Sequence, residues 1–126
     1  MLTEEKRKEL RENIMVIEEQ IRNLNKEKNA CTQELVQDAI EQVKARFSNV
    51  AEGDKVKVRY TDGWCDKEMV EEFYLKGYHL AYYFNPTEMM GYVQVDFFKV
   101  KKDGSQSLRT QVINNQRIIS IEKVTE

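Results

Sequence analysis

His79 is the only histidine among 126 residues. A two-histidine metal site therefore cannot be assembled within one chain, and any Ser-His-Asp triad would have to be built on this one residue. It falls in an alternating stretch, on the side opposite Tyr78, Leu80, Tyr82 and Phe84, and reads as a surface or subunit-contact residue. Cys65 directly follows Trp64, but it has neither a CxxC partner nor a neighbouring histidine in sequence, and a thiol needs such a neighbour to become a thiolate. Asp66, Glu68, Glu71 and Glu72 could offer oxygens to a hard cation. Their spacing does not fit an EF-hand loop, and a solvated face is the simpler reading. The five glycines are dispersed and form no phosphate-cradling cluster. These patterns give catalysis little to work with, so no catalytic residue, metal or organic cofactor is expected.

Binding chemistry is better represented. Lys55, Lys57 and Arg59 share one face of an alternating stretch, and Lys99, Lys101 and Lys102 gather beside Asp103-Gly104. Such stripes can track phosphates, although Glu52, Asp54 and Asp96 lie close to them in sequence. Every aromatic residue except Phe47 lies after residue 49. Most must form the core of so small a β part, because each buried ring removes a large apolar area from water. Strand alternation still sends Tyr82 and Tyr83, or Phe97 and Phe98, to opposite faces. Trp64 and Tyr83 therefore join the lysines as candidates for a partner or nucleic-acid surface.

The first third of the chain positions a different kind of site. Leu10, Ile14, Ile17, Ile21, Leu24, Lys28, Cys31 and Leu35 fall on one heptad track with no Gly or Pro to interrupt it, which is the pattern of a helix that packs on another helix. Ile14 and Ile21 occupy a, Leu10 and Leu24 occupy d, a combination that favours two parallel strands; Lys28 at a disfavours higher orders. Thr3 can cap the helix, Glu4 and Glu5 face the positive end of its dipole, and Lys44 and Arg46 lie near the negative end, with Asn49 as the stop. A helix to about Ser48 would be roughly 68 Å long, so part of it is expected to project. A helical hairpin turning at Asn29 to Thr32 is the rival reading, but that stretch lacks Gly and Pro.

After Leu35 the apolar spacing persists in a new frame, through Val36, Ile40, Val43, Phe47 and Val50. At 100° per residue this second stripe is turned by roughly 130° from the first. The first stripe is read as an oligomer seam, with Leu10, Ile14, Ile17, Ile21, Leu24 and Lys28 as its residues, and the second as the face that packs on the β part of the same chain.

From Val50 the period changes to two. Val56, Val58 and Tyr60 alternate with charged residues as one half-buried strand, and Thr61-Asp62-Gly63 is a turn. Asp66 to Gly77 reads as a short helix capped by Asp66 and closed by Gly77, carrying Met69, Val70, Phe73 and Tyr74, or else Phe73 to Phe84 form a hairpin turning at Lys76-Gly77; the cap and stop favour the helix. Further strands are expected at Tyr78 to Phe84, broken by Asn85-Pro86, at Tyr92 to Lys101, at Leu108 to Val112 after a tight Asp103-Gly104 turn, and at Arg117 to Val124. Five short antiparallel strands suit a small barrel or a strongly curled sheet.

The segment Val50-Ala-Glu-Gly-Asp-Lys-Val-Lys-Val-Arg-Tyr60 resembles the opening strand of SH3-like barrels, including Tudor and KOW modules. Thr110-Gln-Val-Ile-Asn-Asn-Gln-Arg-Ile-Ile-Ser-Ile-Glu-Lys-Val124 is similar to the strand, single 3₁₀ turn and strand that close such barrels. The resemblance implies a small β-barrel after the helix. It covers only the two ends of the β part and brings no functional residues with it.

Composition sets the remaining bounds. Residues 1–49 carry 9 basic and 10 acidic side chains and residues 50–126 carry 11 and 12, so neither half is a strong polyanion binder. No charged-then-apolar leader opens the sequence, and no apolar run approaches the roughly 20 residues that cross a bilayer. Cys31 and Cys65 are expected as free thiols in a reducing compartment. The combined expectation is an α+β protein of two parts, 1–49 and 50–126. It would be cytoplasmic and homodimeric through its helix, without membrane contact. It would act as a non-enzymatic adaptor or structural subunit with a protein partner, or alternatively as a nucleic-acid-associated module.

Overall fold

The computed structural model describes residues 1–64, 66–81 and 86–125. One helix, α1 (Glu4–Arg46), precedes a five-stranded antiparallel sheet: β1 (Lys55–Thr61), β2 (Glu68–Leu80), β3 (Val93–Val100), β4 (Gln106–Asn114) and β5 (Ile118–Lys123). Two 3₁₀ segments, η1 (Pro86–Tyr92) and η2 (Asn115–Arg117), lie before β3 and before β5. The fold is α+β.

The helix starts where its cap dictates. The Thr3 hydroxyl accepts from the Lys6 amide at 3.2 Å, and Glu4 pairs with Arg7 across the first turn at 2.7 Å. No break occurs at Asn29 to Thr32, so α1 is one continuous helix rather than a hairpin. It ends at Arg46, and a turn follows in which Asn49 donates its side-chain amide to the carbonyl of Ile121 at 2.8 Å. Residues 1–34 and 35–126 form separate compact units.

In the second unit the new apolar frame does what its spacing requires. Ala39, Val43 and Phe47 are buried, and Val36, Ile40 and Val50 pack against the same core. The sheet contributes its inner face: Val56, Val58 and Tyr60 from β1, Phe73 and Leu75 from β2, Val93, Val95 and Phe97 from β3, Ile113 from β4, Ile118 and Ile121 from β5. The Phe73 and Phe97 rings stack with centroids 5.0 Å apart. Asn115 is the one buried polar residue of this core among those described. Its side-chain amide donates to the carbonyls of Met90 and Val93, at 2.7 and 2.8 Å, which removes the cost of burying it.

Two expectations are corrected. The stretch from Asp66 to Gly77 is not a helix: Glu68 onward belongs to β2, a 13-residue strand. Met69, Glu71, Phe73 and Leu75 alternate inward, Glu68 to Tyr74 pair with β1 and Phe73 to Leu80 pair with β3, and this pairing outweighs the local helix signals. Asp66 caps nothing and instead takes a left-handed conformation, φ 52°. Tyr78 to Leu80, expected as the start of a separate strand, complete β2, while Tyr82 to Phe84 lie outside the described residues.

The second correction concerns closure. The strand order is β4-β3-β2-β1-β5, so β4 and β5 are opposite edges and the sheet is not a closed barrel. The residues between them do not ladder. Asn114 caps the 3₁₀ turn by accepting from the Gln116 amide, and Asn115 is held by η1 and β3 as described. Irregular pairing at Leu75/Gly77, Arg59/Tyr60 and Phe98/Val100 bends the strands without joining the edges.

Candidate functional site

The helix stripe is the first surface. In the heptad reading its successive residues stand one turn apart on a single face, and Leu10, Ile14, Ile17, Ile21 and Leu24 are between 39 % and 63 % exposed. Leu35, the last apolar residue of that frame, is 45 % exposed, whereas Val36 beside it already packs on the core. The frame change in the sequence is thus the boundary between uncovered and covered apolar surface. Lys28 and Cys31 on the same track are exposed.

The basic face of the sheet is built by β1. Its inward residues are buried valines and Tyr60, so Lys55, Lys57 and Arg59 must point to the other side. Register then sets acidic residues opposite them: Lys57 faces Glu72 on β2 and Glu122 on β5. Lys55 lies 3.7 Å from Glu72, and Arg59 Nε donates to Glu68 at 2.8 Å. Two of the three cations are paired within the sheet. Lys57, Lys99, Lys101 and Lys102 are exposed and make no ion pair among the described residues.

Sequence places the two lysine groups far apart, and the fold joins them at one end. The β3–β4 turn is stapled by Asp103, which accepts from the amide and hydroxyl of Ser105 at 2.9 and 2.6 Å. Those bonds favour the carboxylate and hold its pKa below the ordinary 3.8. Gly104 (φ 89°) completes the turn. Its carbonyl accepts from the Tyr74 hydroxyl at 2.7 Å, and a Cβ there would lie 3.8 Å from Lys55 Nζ. Lys55 therefore ends beside the turn that carries Lys101 and Lys102. Trp64 is 98 % exposed in the turn after β1, about six strand residues or ~20 Å from Lys55. The structure does not bring it to the lysines. Tyr83 lies outside the described residues.

The outer face of β2 and β3 carries pairings that the sequence did not show. Tyr74 and Phe98 are register partners, both half-buried, and the Lys76 ammonium stands 5.3 Å from the Phe98 ring centroid. Phe97, its neighbour, is fully buried, so strand alternation divides that pair as expected. On the same face His79 Nδ1 lies 2.7 Å from Asp96 Oδ2. The second oxygen, Asp96 Oδ1, is buried and has no hydrogen-bond partner among the described residues. The pair fixes the imidazole with Nε2 turned away from the carboxylate, which orients a base but supplies no nucleophile. Among the described residues no group of three His, Cys, Asp or Glu side chains is placed to hold a metal ion. Leu108, 90 % exposed on edge strand β4, was likewise not singled out. Asp96 could not be matched to His79 without the β2–β3 register, and Leu108 sits in a strand whose alternation is weak.

No helix among the described residues is long and apolar enough to cross a membrane. Neither protein-family models, nor curated proteins, nor solved structures give a match to this chain.

Proposed function

We propose that this protein is a non-enzymatic, cytoplasmic, self-associating subunit: the N-terminal helix holds two copies together as a coiled coil, and an SH3-like curled sheet contacts another protein. The observation that carries the reading is the uncovered heptad stripe, Leu10, Ile14, Ile17, Ile21 and Leu24, on a helix whose next stripe packs against the core. Aqueous exposure of five large aliphatic side chains in one row is unfavourable by about 25 cal/mol per Å², and a second helix is the surface that fits a row of this width. The strand order with a 3₁₀ turn between β4 and β5 supports the SH3-like part.

Light scattering tests self-association directly. A dimer mass is expected, and Ile17→Asp, which places a carboxylate in the seam, should give monomers of unchanged β-sheet content. A monomer mass for the unsubstituted protein, or a dimer untouched by Ile17→Asp, would overturn the assignment.

A nucleic-acid module is the second reading. Its support is the meeting of Lys55 with the Lys101–Lys102 turn and the exposure of Lys57 and Lys99, which make no ion pair among the described residues. The carboxylates of Glu68 and Glu72, which already hold Arg59 and Lys55, count against it.

A further inference from the structure

We propose that the second copy lies antiparallel on the stripe, with Leu35 opposite Leu10, Cys31 opposite Ile14, Lys28 opposite Ile17 and Leu24 opposite Ile21. This rests on the self-association proposed above and replaces the parallel arrangement that the a and d residue types favour by themselves.

Charge decides between the two orientations. A parallel pair sets every seam residue against its own copy, so Lys28 meets Lys28 and Arg7, also at a, meets Arg7. It also brings g-position Lys6 of one helix to e-position Arg11 of the other. None of the remaining flanking pairs compensates: Asn13 with Glu18, Gln20 with Asn25 and Glu27 with Thr32 contain no opposite charges.

In the antiparallel register each of these conflicts is removed. Lys28 packs its aliphatic stem on Ile17, and the two Lys28 residues stand 11 positions apart along the axis, about 16 Å, beyond the ~8 Å screening length at physiological salt. Arg7 comes opposite Asp38, and Lys6 opposite Glu41, the residues at the corresponding d and g positions of the same continuous helix. Asp38 and Glu41 are exposed, on the side of α1 away from the buried Ala39 and Val43. The overlap of apolar residues also starts and stops where the exposed stripe does, at Leu10 and Leu35. A shift by one heptad sets Leu35 against Thr3 and Glu18 against Glu18 in one direction, and Ile14 against Asp38 and Glu27 against Glu27 in the other, losing the apolar match and the absence of like charges either way.

Cys31 reports the orientation. In a Cys65→Ser background, a parallel pair holds the two Cys31 thiols face to face at d, whereas the antiparallel register separates them by 17 positions, about 26 Å along the axis. Oxidised glutathione should therefore give no covalent dimer of this protein. Adding Ile14→Cys should convert most of the chain to a covalent dimer, with tryptic mapping linking position 14 to Cys31. A second variant, Leu10→Cys with Leu35→Cys and both native cysteines replaced by serine, should link position 10 to position 35. Light scattering accompanies each sample. A dimer mass with a Cys31–Cys31 bond, or with neither mixed link in either variant, overturns the antiparallel register and leaves self-association standing. A monomer mass before any substitution overturns both.

Discussion

The guanidinium of Arg46 donates to the carbonyl oxygen of Ile118 at 2.6 Å, and through its other nitrogen to that of Asn115 at 3.0 Å. The last residue of α1 thus holds both ends of the 3₁₀ turn that leads into β5. A charged donor to a carbonyl contributes about 1.5–3 kcal/mol when partly shielded from water. Arg46→Met, which keeps much of the stem, should destabilise the protein by about 1–3 kcal/mol. Denaturant unfolding with an unchanged m-value checks it, and a midpoint equal to that of the unsubstituted protein would show that water replaces the guanidinium.

Phe47 is 4 % exposed and belongs to the covered stripe. Phe47→Ala should cost roughly 3–5 kcal/mol, the usual penalty for emptying a buried aromatic site. Removal of residues 1–30 should leave the thermal transition of the sheet in place, since residues 35–126 are a compact unit with their own core. Loss of β structure on that deletion, measured by circular dichroism, would mean that the first stripe supports the sheet.

Alkaline stability follows from two phenols. Burial lifts Tyr78 above its ordinary 10.0, with the Glu52 carboxylate adding to the effect. Burial likewise lifts Tyr60, helped by the hydrogen bond that it donates to Glu71 at 2.7 Å and opposed by Gln111. A raised folded value means that the folded state keeps the proton longer than the unfolded chain does. The contribution to stability is complete below pH 10 and is lost as pH rises through the folded values. Urea midpoints should therefore fall above about pH 10, and the fall should be shallower in Tyr78→Phe. Parallel pH profiles for the two proteins would contradict the assignment.

Replacing Lys55, Lys57 and Arg59 together by Gln separates the two functional readings. Their ion pairs are surface pairs worth about 0–1 kcal/mol each, and Val56, Val58 and Tyr60 stay in the core, so the fold should persist. Binding of single- or double-stranded oligonucleotides should be weaker than about micromolar near physiological salt. Submicromolar, salt-sensitive binding, whose slope drops by up to about three units in the triple variant, would favour the nucleic-acid module.

What was legible in the sequence was whatever rested on one element's own period. The two frames of α1 could be read because polar and charged residues fill most of its other positions, and the basic side of β1 because valines alternate with it. The segment from Glu68 to Gly77 misled because Val70 and Tyr74, on the outer face, complete a helical spacing with Met69 and Phe73. Only the partners on either side decide it. That one error hid the electrostatics as well: Glu68 and Glu72, the carboxylates that meet Arg59 and Lys55, are carried by the strand read as a helix. His79 and Asp96 were each visible, but what joins them is a register.

The position of β5 has a bearing on how the chain folds. Strands β1 to β4 each pair with the next in the chain, but Val58 pairs with Ile121, closing a loop of more than sixty residues. Local hairpins form in microseconds, while a contact of this span must first overcome the entropy of closing its loop. The meander is expected to assemble first, with the Val56 to Tyr60 edge and its row of free amides open to any extended segment nearby. Docking of Ile118–Lys123, fixed by Arg46 and Asn49, is the step that shields that edge, so crowding during refolding should divert molecules caught before it.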